Sequence, residues 1–469
     1  MASHLIIVHG YSDGYLKKDG SFKKLRAFLV KNKRYSSNKV HFVEYSSMDD
    51  RATYEDFADK LNSDFEKKIP KGTRVDILCH STGALVTRIW LASRRRRQRE
   101  RGQALDIPVD RIFMFAPANF GSDLARMGQS FLGKTKSTFF NRNIKKGNRW
   151  ESGKVVLQGL EPASPFQWDL SMVDLHEETY FGPHDPTGQM CKPFVFAAGE
   201  GYPGQSKIIR KRNKPGTDGT VRICGTDMNT RKCTLFFSEA GPVLSWKKEV
   251  KCSAIPFAVF QGVNHGSILS PDHNGFDGPD GPGTLLLKAT RVTSEAQYTA
   301  SFKVFNQASE NNYAVAKGEN ADRYQQFFFK VRDDAGFNVE DFFVDFSVVV
   351  PADRSTSRTL SRQFDEAFEE RVTVHSQDRS HRAFLINLKN LHQTLRDIKK
   401  QKGKVILKIT AKKPYDEVSY DDGDFVVYDA SGTAGKQPDF IFENTTTLIE
   451  VVMNRRQSDE ILRLRKTLS

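Results

Sequence analysis

An α/β fold is expected over residues 1–269, a mainly parallel sheet with helices on both faces, followed by a β-rich, sandwich-like domain over 285–469. Three observations carry this expectation. Short, continuously apolar runs alternate with stretches of helical periodicity through the first half of the chain. One such run, VDILCHSTGA (75–84), ends at a serine and reverses directly into a helical pattern. Beyond a stretch rich in Gly, Pro and Asp (270–284), strand-like runs follow one another with a single helical interruption. A chain of 469 residues exceeds one ordinary core, so two domains are the default.

The elements follow in order. HLIIV (4–8) is a short apolar run ending in His9-Gly10, as a buried parallel strand requires. Phe22, Leu25, Phe28 and Leu29 recur at helical spacing, and KVHFVEY (39–45) alternates like a strand. Thr53-Tyr54-Glu55-Asp56 resembles a capping box with Asp in the usual Glu or Gln position. It opens a helix that puts Phe57, Leu61 and Phe65 on one face. A third strand is expected at 74–79, with a helix at 83–97 behind it. Fourth, fifth and sixth strands are expected at 111–115, 194–198 and 255–262. Residues 270–284 read as a linker, and their acidic spacing does not match an EF-hand loop, so no metal is expected. Further strands are expected at 285–288, 298–305, 325–331, 342–350, 404–410 and 425–428, with 441–443 and 447–453 as additions and one helix around 385–398. No short-period internal repeat is evident.

The serine at the bend has a chemical reading. A strand that turns abruptly into a helix holds the residue at the turn in a strained conformation, its side chain projecting from the strand end. Neighbours must be small there, and Gly83 and Ala84 are; Cys79 stands where such a turn usually has its first glycine. Ser81 would sit at a helix N-terminus, where free N–H groups stabilise negative charge and the Thr82 N–H becomes an oxyanion donor. The alternative is an ordinary serine N-cap. A nucleophilic serine needs a base, and the base an orienting acid. His265, in Asn264-His265-Gly266 directly after an apolar strand, is the expected base. His176, His184 and His273 lie in loops without a preceding strand, and His80 would point away from the serine oxygen. Asp218, in the tight turn Gly216-Thr217-Asp218-Gly219-Thr220-Val221, is the expected acid, with Glu200 as the main rival and Asp227 behind it. The loop after the first strand, HGYSDG (9–14), offers the N–H of Tyr11 as the second oxyanion donor.

With HG after the first strand, C-H-S-T-G at the turn, T-D-G-T-V and N-H-G, the chain resembles the α/β-hydrolase superfamily. Within it, the look is of class 2 lipases and the lecithin:cholesterol acyltransferase and GPI-inositol-deacylase-like branch, which carry a similar D-G-T-V around the acid. APANFGS (116–122) is also similar to the segment after the corresponding strand in bacterial lipase-like hydrolases. The resemblance spans 4–270 and implies Ser81 as nucleophile, Asp218 as acid, His265 as base, and Tyr11 and Thr82 as oxyanion donors. It implies a lipase or phospholipase cleaving acyl esters through an acyl-enzyme and needing no cofactor, with a short-chain esterase or thioesterase as the alternative. A binding protein built on a hydrolase scaffold is a reading from another class.

The roughly 75 residues between the fourth and fifth strands are long for such a connection. In this fold an insertion there (about 120–190) commonly forms a lid, and Phe131, Leu132 and Phe139 are placed to meet an acyl chain. A cap packed permanently onto the core is the other possibility. The net charge of +14 gathers at 94–101 and 207–214, where it could meet an anionic membrane surface or simply be solvated. No nucleic-acid module is recognisable, so no nucleic acid is expected as partner. The β-rich domain is read as a lipid-docking module, a partner-binding module or a shield. Five cysteines without a CxxC favour reduced thiols, with a bridge among Cys224, Cys233 and Cys252 as the alternative. No apolar run of ~18 residues and no signal-peptide pattern occur, so a cytoplasmic product is expected, export without a signal being left open.

Overall fold

Continuous apolar runs too short for buried helices form one sheet. In the computed structural model, β1 (His4–Val8), β2 (Val40–Val43), β3 (Val75–His80), β4 (Val109–Phe115), β5 (Lys192–Ala198) and β6 (Phe257–Phe260) lie in the order β2-β1-β3-β4-β5-β6. Every neighbouring pair is parallel. The structure describes residues 4–11, 20–45, 49–125, 153–177, 180–182, 190–204, 213–238, 241–246, 255–351, 355–411, 418–431 and 440–457. All residues of β3 and β5 are buried, as strands covered on both faces must be.

Helix α1 (Ser21–Lys31) shares one core with the sheet through Phe22, Leu25 and Leu29. Helices α2 (Tyr54–Lys68) and α3 (Gly83–Glu100) make another layer, with the Phe65 and Trp90 rings 5.3 Å apart. Thr53 and Asp56 form the reciprocal cap expected from the sequence, contributing about 1 kcal/mol to that helix start. In the insertion, α4 (Lys154–Leu160) and α5 (Pro165–Ser171) are described. Near the start of β3, Arg111 grips buried Asp76 with two hydrogen bonds of 2.8 and 2.7 Å, and Tyr35 donates a third of 2.7 Å. Arg111 also donates to the carbonyls of Thr290 and Val292, which fixes the chain beyond the supposed linker onto the sheet.

Two expectations are corrected there. Residues 285–288 and 298–305 are not strands: they belong to α6 (Pro282–Ala289) and α7 (Glu295–Val315). Pro282 occupies the first turn of α6, and Ser294 and Gln297 form a capping box for α7, so local start signals override the apolar runs. Leu285, Leu286, Tyr298 and Phe305 pack in the same core as α1. The stretch before α6 is a series of turns, and Gly283 packs so tightly on Phe276 that an added Cβ would lie 2.4 Å from its ring.

The chain divides into two units, one of 1–230 and 249–322, the other of 231–248 and 323–469. The division therefore falls differently from the expected 269 and 285 boundaries. Strand Arg231–Ser238 explains why: it pairs in parallel with Thr446–Met453 and turns back into Gly241–Trp246. The second unit holds a six-stranded sheet (Phe368–Val374, His381–Asn387, Tyr324–Asp333, Thr446–Met453, Arg231–Ser238, Gly241–Trp246) and a four-stranded one (Ser355–Thr356, Phe342–Val350, Lys404–Ala411, Gly423–Asp429). Residues of both sheets, Phe329 and Val451 with Leu407 and Phe425 among them, share one apolar core, as in a sandwich. The expected helix at 385–398 starts later, at Leu388 behind an Asn387 cap, because 381–387 is a strand; residues 441–443 are not a strand. Cys79, Cys191, Cys224 and Cys233 are buried, and Cys224 and Cys233 are not bridged to each other; Cys252 lies outside the described residues. No helix among the described residues is long and apolar enough to cross a membrane.

Candidate active site

Ser81 occupies the left-handed region at φ 55°, a conformation a non-glycine residue adopts only under constraint. The constraint is visible on both sides of the turn. Its N–H donates to the Phe115 carbonyl at the end of β4 (3.1 Å), and its carbonyl accepts from Ala84 and Ala118 (3.2 Å each). A Cβ at Gly83 would lie 2.6 Å from the carbonyl oxygens of Val8 and His9, so only glycine passes there. Cys79 is tolerated in the other small-residue position because it is a fully buried strand residue, in register with Val8 and Met114. Burial pushes its thiol far above the usual range, which leaves it a packing residue.

The loop after β1 approaches the same point. A Cβ at Gly10 would fall 2.7 Å from that of Ser81. Tyr11 follows it, half-buried. The Tyr45 hydroxyl donates to the His9 carbonyl (2.5 Å) and its ring stacks on His9 at 4.1 Å. Thr82 is the N-cap of α3, directly after the serine.

His265 and Asp218 meet. Nδ1 of His265 lies 2.8 Å from Oδ2 of Asp218, and both residues are buried. The other carboxylate oxygen accepts the N–H groups of Thr220 (2.9 Å) and Val221 (2.7 Å), which fixes the orientation of the carboxylate. The His265 N–H also donates to the Asp218 carbonyl (3.1 Å), so the two turns are joined through backbone as well as side chains. His80, which sequence reasoning set aside, has a place here: its Nε2 bonds the His265 carbonyl at 2.8 Å, and the two rings are 4.6 Å apart. Burial holds the His80 imidazole well below its ordinary pKa, with the charges of His265 and His9 acting the same way. A neutral His80 therefore ties the end of β3 to the histidine loop without adding charge.

The rivals are placed elsewhere. His176 bonds the Thr230 hydroxyl (2.9 Å), and half-buried His273 bonds the Asn274 carbonyl (2.9 Å); His184 lies outside the described residues. The N–H of Glu200 donates to the Val263 carbonyl. Asp227 accepts the backbone and side-chain N–H groups of Asn229, which in turn bridges to Ile255. Burial pushes the Asp227 carboxyl up to about 7. Unfolded, this group loses its proton near pH 4; folded, it keeps it to about 7, so stability falls as pH rises between those values. Asp227→Asn keeps the acceptor oxygen, and we expect it to flatten that pH dependence and stabilise the protein at pH 7 by roughly 4 kcal/mol at most. Urea unfolding of both proteins at pH 5 and 7 checks this.

APANFGS (116–122) sews the site together. Asn119 Nδ2 donates to the Thr226 carbonyl (2.8 Å) and Ser122 Oγ to the Thr220 carbonyl (2.5 Å), while Arg222 pairs with Asp123 (2.7 Å). Behind the serine helix, Arg88 makes a bidentate pair with Asp174 (2.7 and 2.8 Å), both fully buried, and also reaches Ser171. Residues 171 and 174 of the insertion are thereby tied to α3. Phe131, Leu132 and Phe139 lie outside the described residues. A single arginine on an apolar helix, ALVTRIWLA, was the available signal for Arg88.

The basic run at 94–101 is largely committed internally. Arg94 pairs with Asp106 and Glu66, Arg97 with Asp59, and buried Arg95 lies over the Tyr180 ring at 4.4 Å. Most of the second basic cluster, 207–212, lies outside the described residues.

No protein-family model and no curated protein matches the sequence. Solved structures do match the fold. Phospholipase PlaB from Legionella pneumophila, in complex with thio-NAD, aligns with a TM-score of 0.77 at 19% identity, covering 100% of this chain and 97% of that one. A second PlaB structure gives 0.77 at 20% identity with the same coverage. Lipase BlEst2 from Bacillus licheniformis in its propeptide form reaches a TM-score of only 0.37 at 10% identity, over 94% of this chain and 96% of that one. None of these ties the chain to the acyltransferase and deacylase branch. The chain thus shares its fold with PlaB along its whole length: a six-stranded parallel sheet with packed helices, and a β-rich second unit.

Proposed function

We propose that the chain is a serine hydrolase of carboxylic esters, of the lipase or phospholipase kind. One observation carries the reading: a strained serine at a strand-to-helix turn lies beside a glycine loop, in a molecule that also pairs a buried histidine with a buried aspartate. In this reading His265 Nε2 takes the proton of Ser81 Oγ as the oxygen attacks the ester carbonyl. The N–H groups of Tyr11 and Thr82 receive the developing oxyanion, at the positive end of α3. The imidazolium, stabilised by Asp218, then protonates the departing alcohol and leaves an acyl-enzyme. Water, deprotonated by the same histidine, releases the acid.

The lipid substrate class is supported by the apolar sequence of the insertion and by the fold shared with a phospholipase. The test is hydrolysis of p-nitrophenyl esters from acetyl to palmitoyl, together with fatty-acid release from phosphatidylglycerol and phosphatidylcholine vesicles. We expect turnover to rise with acyl length and phospholipid to be cleaved. An optimum at acetyl or butyryl would assign a short-chain esterase instead. No turnover and no labelling by a fluorophosphonate probe, with detergent present, would leave only the binding-protein reading.

A further inference from the structure

We infer that Tyr202 is a positioning residue that holds the Asp218 turn against the His265 turn; the inference rests on the hydrolase reading above. Three glycines reveal how closely it is packed. A Cβ at Gly219, the residue after Asp218 and itself at φ 84°, would fall 2.4 Å from the Tyr202 ring. A Cβ at Gly266, the residue after His265, would lie 4.0 Å from the Tyr202 hydroxyl. One side chain thus spans from the backbone of the acid's turn to the backbone of the base's turn.

Tyr202 is itself held by Asn213. The Tyr202 N–H donates to Asn213 Oδ1 (2.8 Å), and Asn213 Nδ2 donates back to the Tyr202 carbonyl (2.6 Å). The two residues close on each other so tightly that a Cβ at Gly201 would meet the Asn213 carboxamide at 2.3 Å. From Asn213 the chain runs straight into the acid's turn. The Lys214 carbonyl accepts from the Thr217 N–H (3.3 Å) and hydroxyl (3.0 Å), and that hydroxyl accepts the Gly219 N–H (3.2 Å). The amide clasp sets the ring, and the ring lies against Gly219 in the Asp218 turn. A histidine works as base only while its Nδ1 partner keeps it in one tautomer and orientation, so slack between these turns reaches the reacting atoms.

The ring, rather than the hydroxyl, makes the contact with Gly219, so Tyr202→Phe and Tyr202→Ala separate the roles. On folded protein, we expect Tyr202→Ala to lower kcat for a p-nitrophenyl ester roughly tenfold or more, with KM little changed. The acidic limb of kcat/KM should move to lower pH, because a loosened carboxylate stabilises the imidazolium less. Tyr202→Phe keeps the ring on Gly219 and removes only the hydroxyl near Gly266, so its loss should be clearly smaller than that of Tyr202→Ala, and Asn213→Ala should follow Tyr202→Ala. The low-field proton resonance of the Asp218–His265 hydrogen bond gives a readout independent of turnover: sharp in wild type and Tyr202→Phe, broadened or lost in Tyr202→Ala. A Tyr202→Ala protein with unchanged kcat, pH limb and resonance overturns the inference. Equal losses in Tyr202→Phe and Tyr202→Ala also overturn it, since the packing of the ring on the acid's turn would then contribute nothing. Failure of wild type to hydrolyse esters or take a fluorophosphonate is a different result: it removes the hydrolase reading, while the resonance still reports on the clasp.

Discussion

Ser81→Ala is expected to abolish fluorophosphonate labelling and lower kcat/KM for p-nitrophenyl esters by roughly a thousandfold or more. The expectation rests on chemistry no neighbour can replace. The thiol of Cys79, two residues away, is fully buried and its proton is held far more tightly than in a reactive cysteine, and Thr82 is the helix cap rather than the residue at the turn. Residual turnover over water would come from the oxyanion donors and substrate binding alone. The variant should fold normally, since alanine is smaller and the strained φ of 55° is imposed by surrounding hydrogen bonds. A folded Ser81→Ala protein that still takes the probe would move the nucleophile elsewhere.

The largest effect on stability is expected at Arg88 and Asp174. Burial pushes the Asp174 carboxyl up, and the charge and hydrogen bonds of Arg88 pull it back. Such a pair contributes little net stability relative to apolar residues of similar shape, yet removing one partner strands a charge in the interior. Arg88→Met or Asp174→Leu alone should therefore destabilise by about 3–5 kcal/mol, while the double variant should recover much of that loss. Urea unfolding of all four proteins closes the cycle. Additive losses, with no recovery, would mean the two side chains do not act as a pair. Because the pair ties the insertion at 171–174 to α3, the single variants should also become more sensitive to proteolysis within the insertion.

The parallel sheet was legible because strands buried on both faces must be continuously apolar and short, and HLIIV or VDILCH has no other reading between turn signals. The same rule failed at Leu285–Leu286–Leu287, where an apolar run is the buried side of a helix, and the Pro and Ser–Gln start signals were the better evidence. Strand Arg231–Ser238 was missed for another reason. Its partner, Thr446–Met453, comes near the end of the chain, and nothing local announces such a pairing.

The site shows the same divide. Ser81, Asp218 and His265 each carried a local signature, since a sharp turn or a strand end needs particular small residues within a few positions. Asp218 was the expected acid ahead of Glu200 and Asp227, and the structure adds its 2.8 Å contact with His265, 47 residues away in the chain. His80 and Tyr202 left no pattern, and Arg88 only that of a lone arginine on an apolar helix, because each acts on a group far away in the chain. Short stretches wrote the strands, the caps and the serine turn, for those depend on sterics and hydrogen bonds between near neighbours. The contact between Asp218 and His265, the tie between the insertion and α3 and the division of the chain emerged only from folding, for they depend on contacts between groups that sequence distance keeps apart.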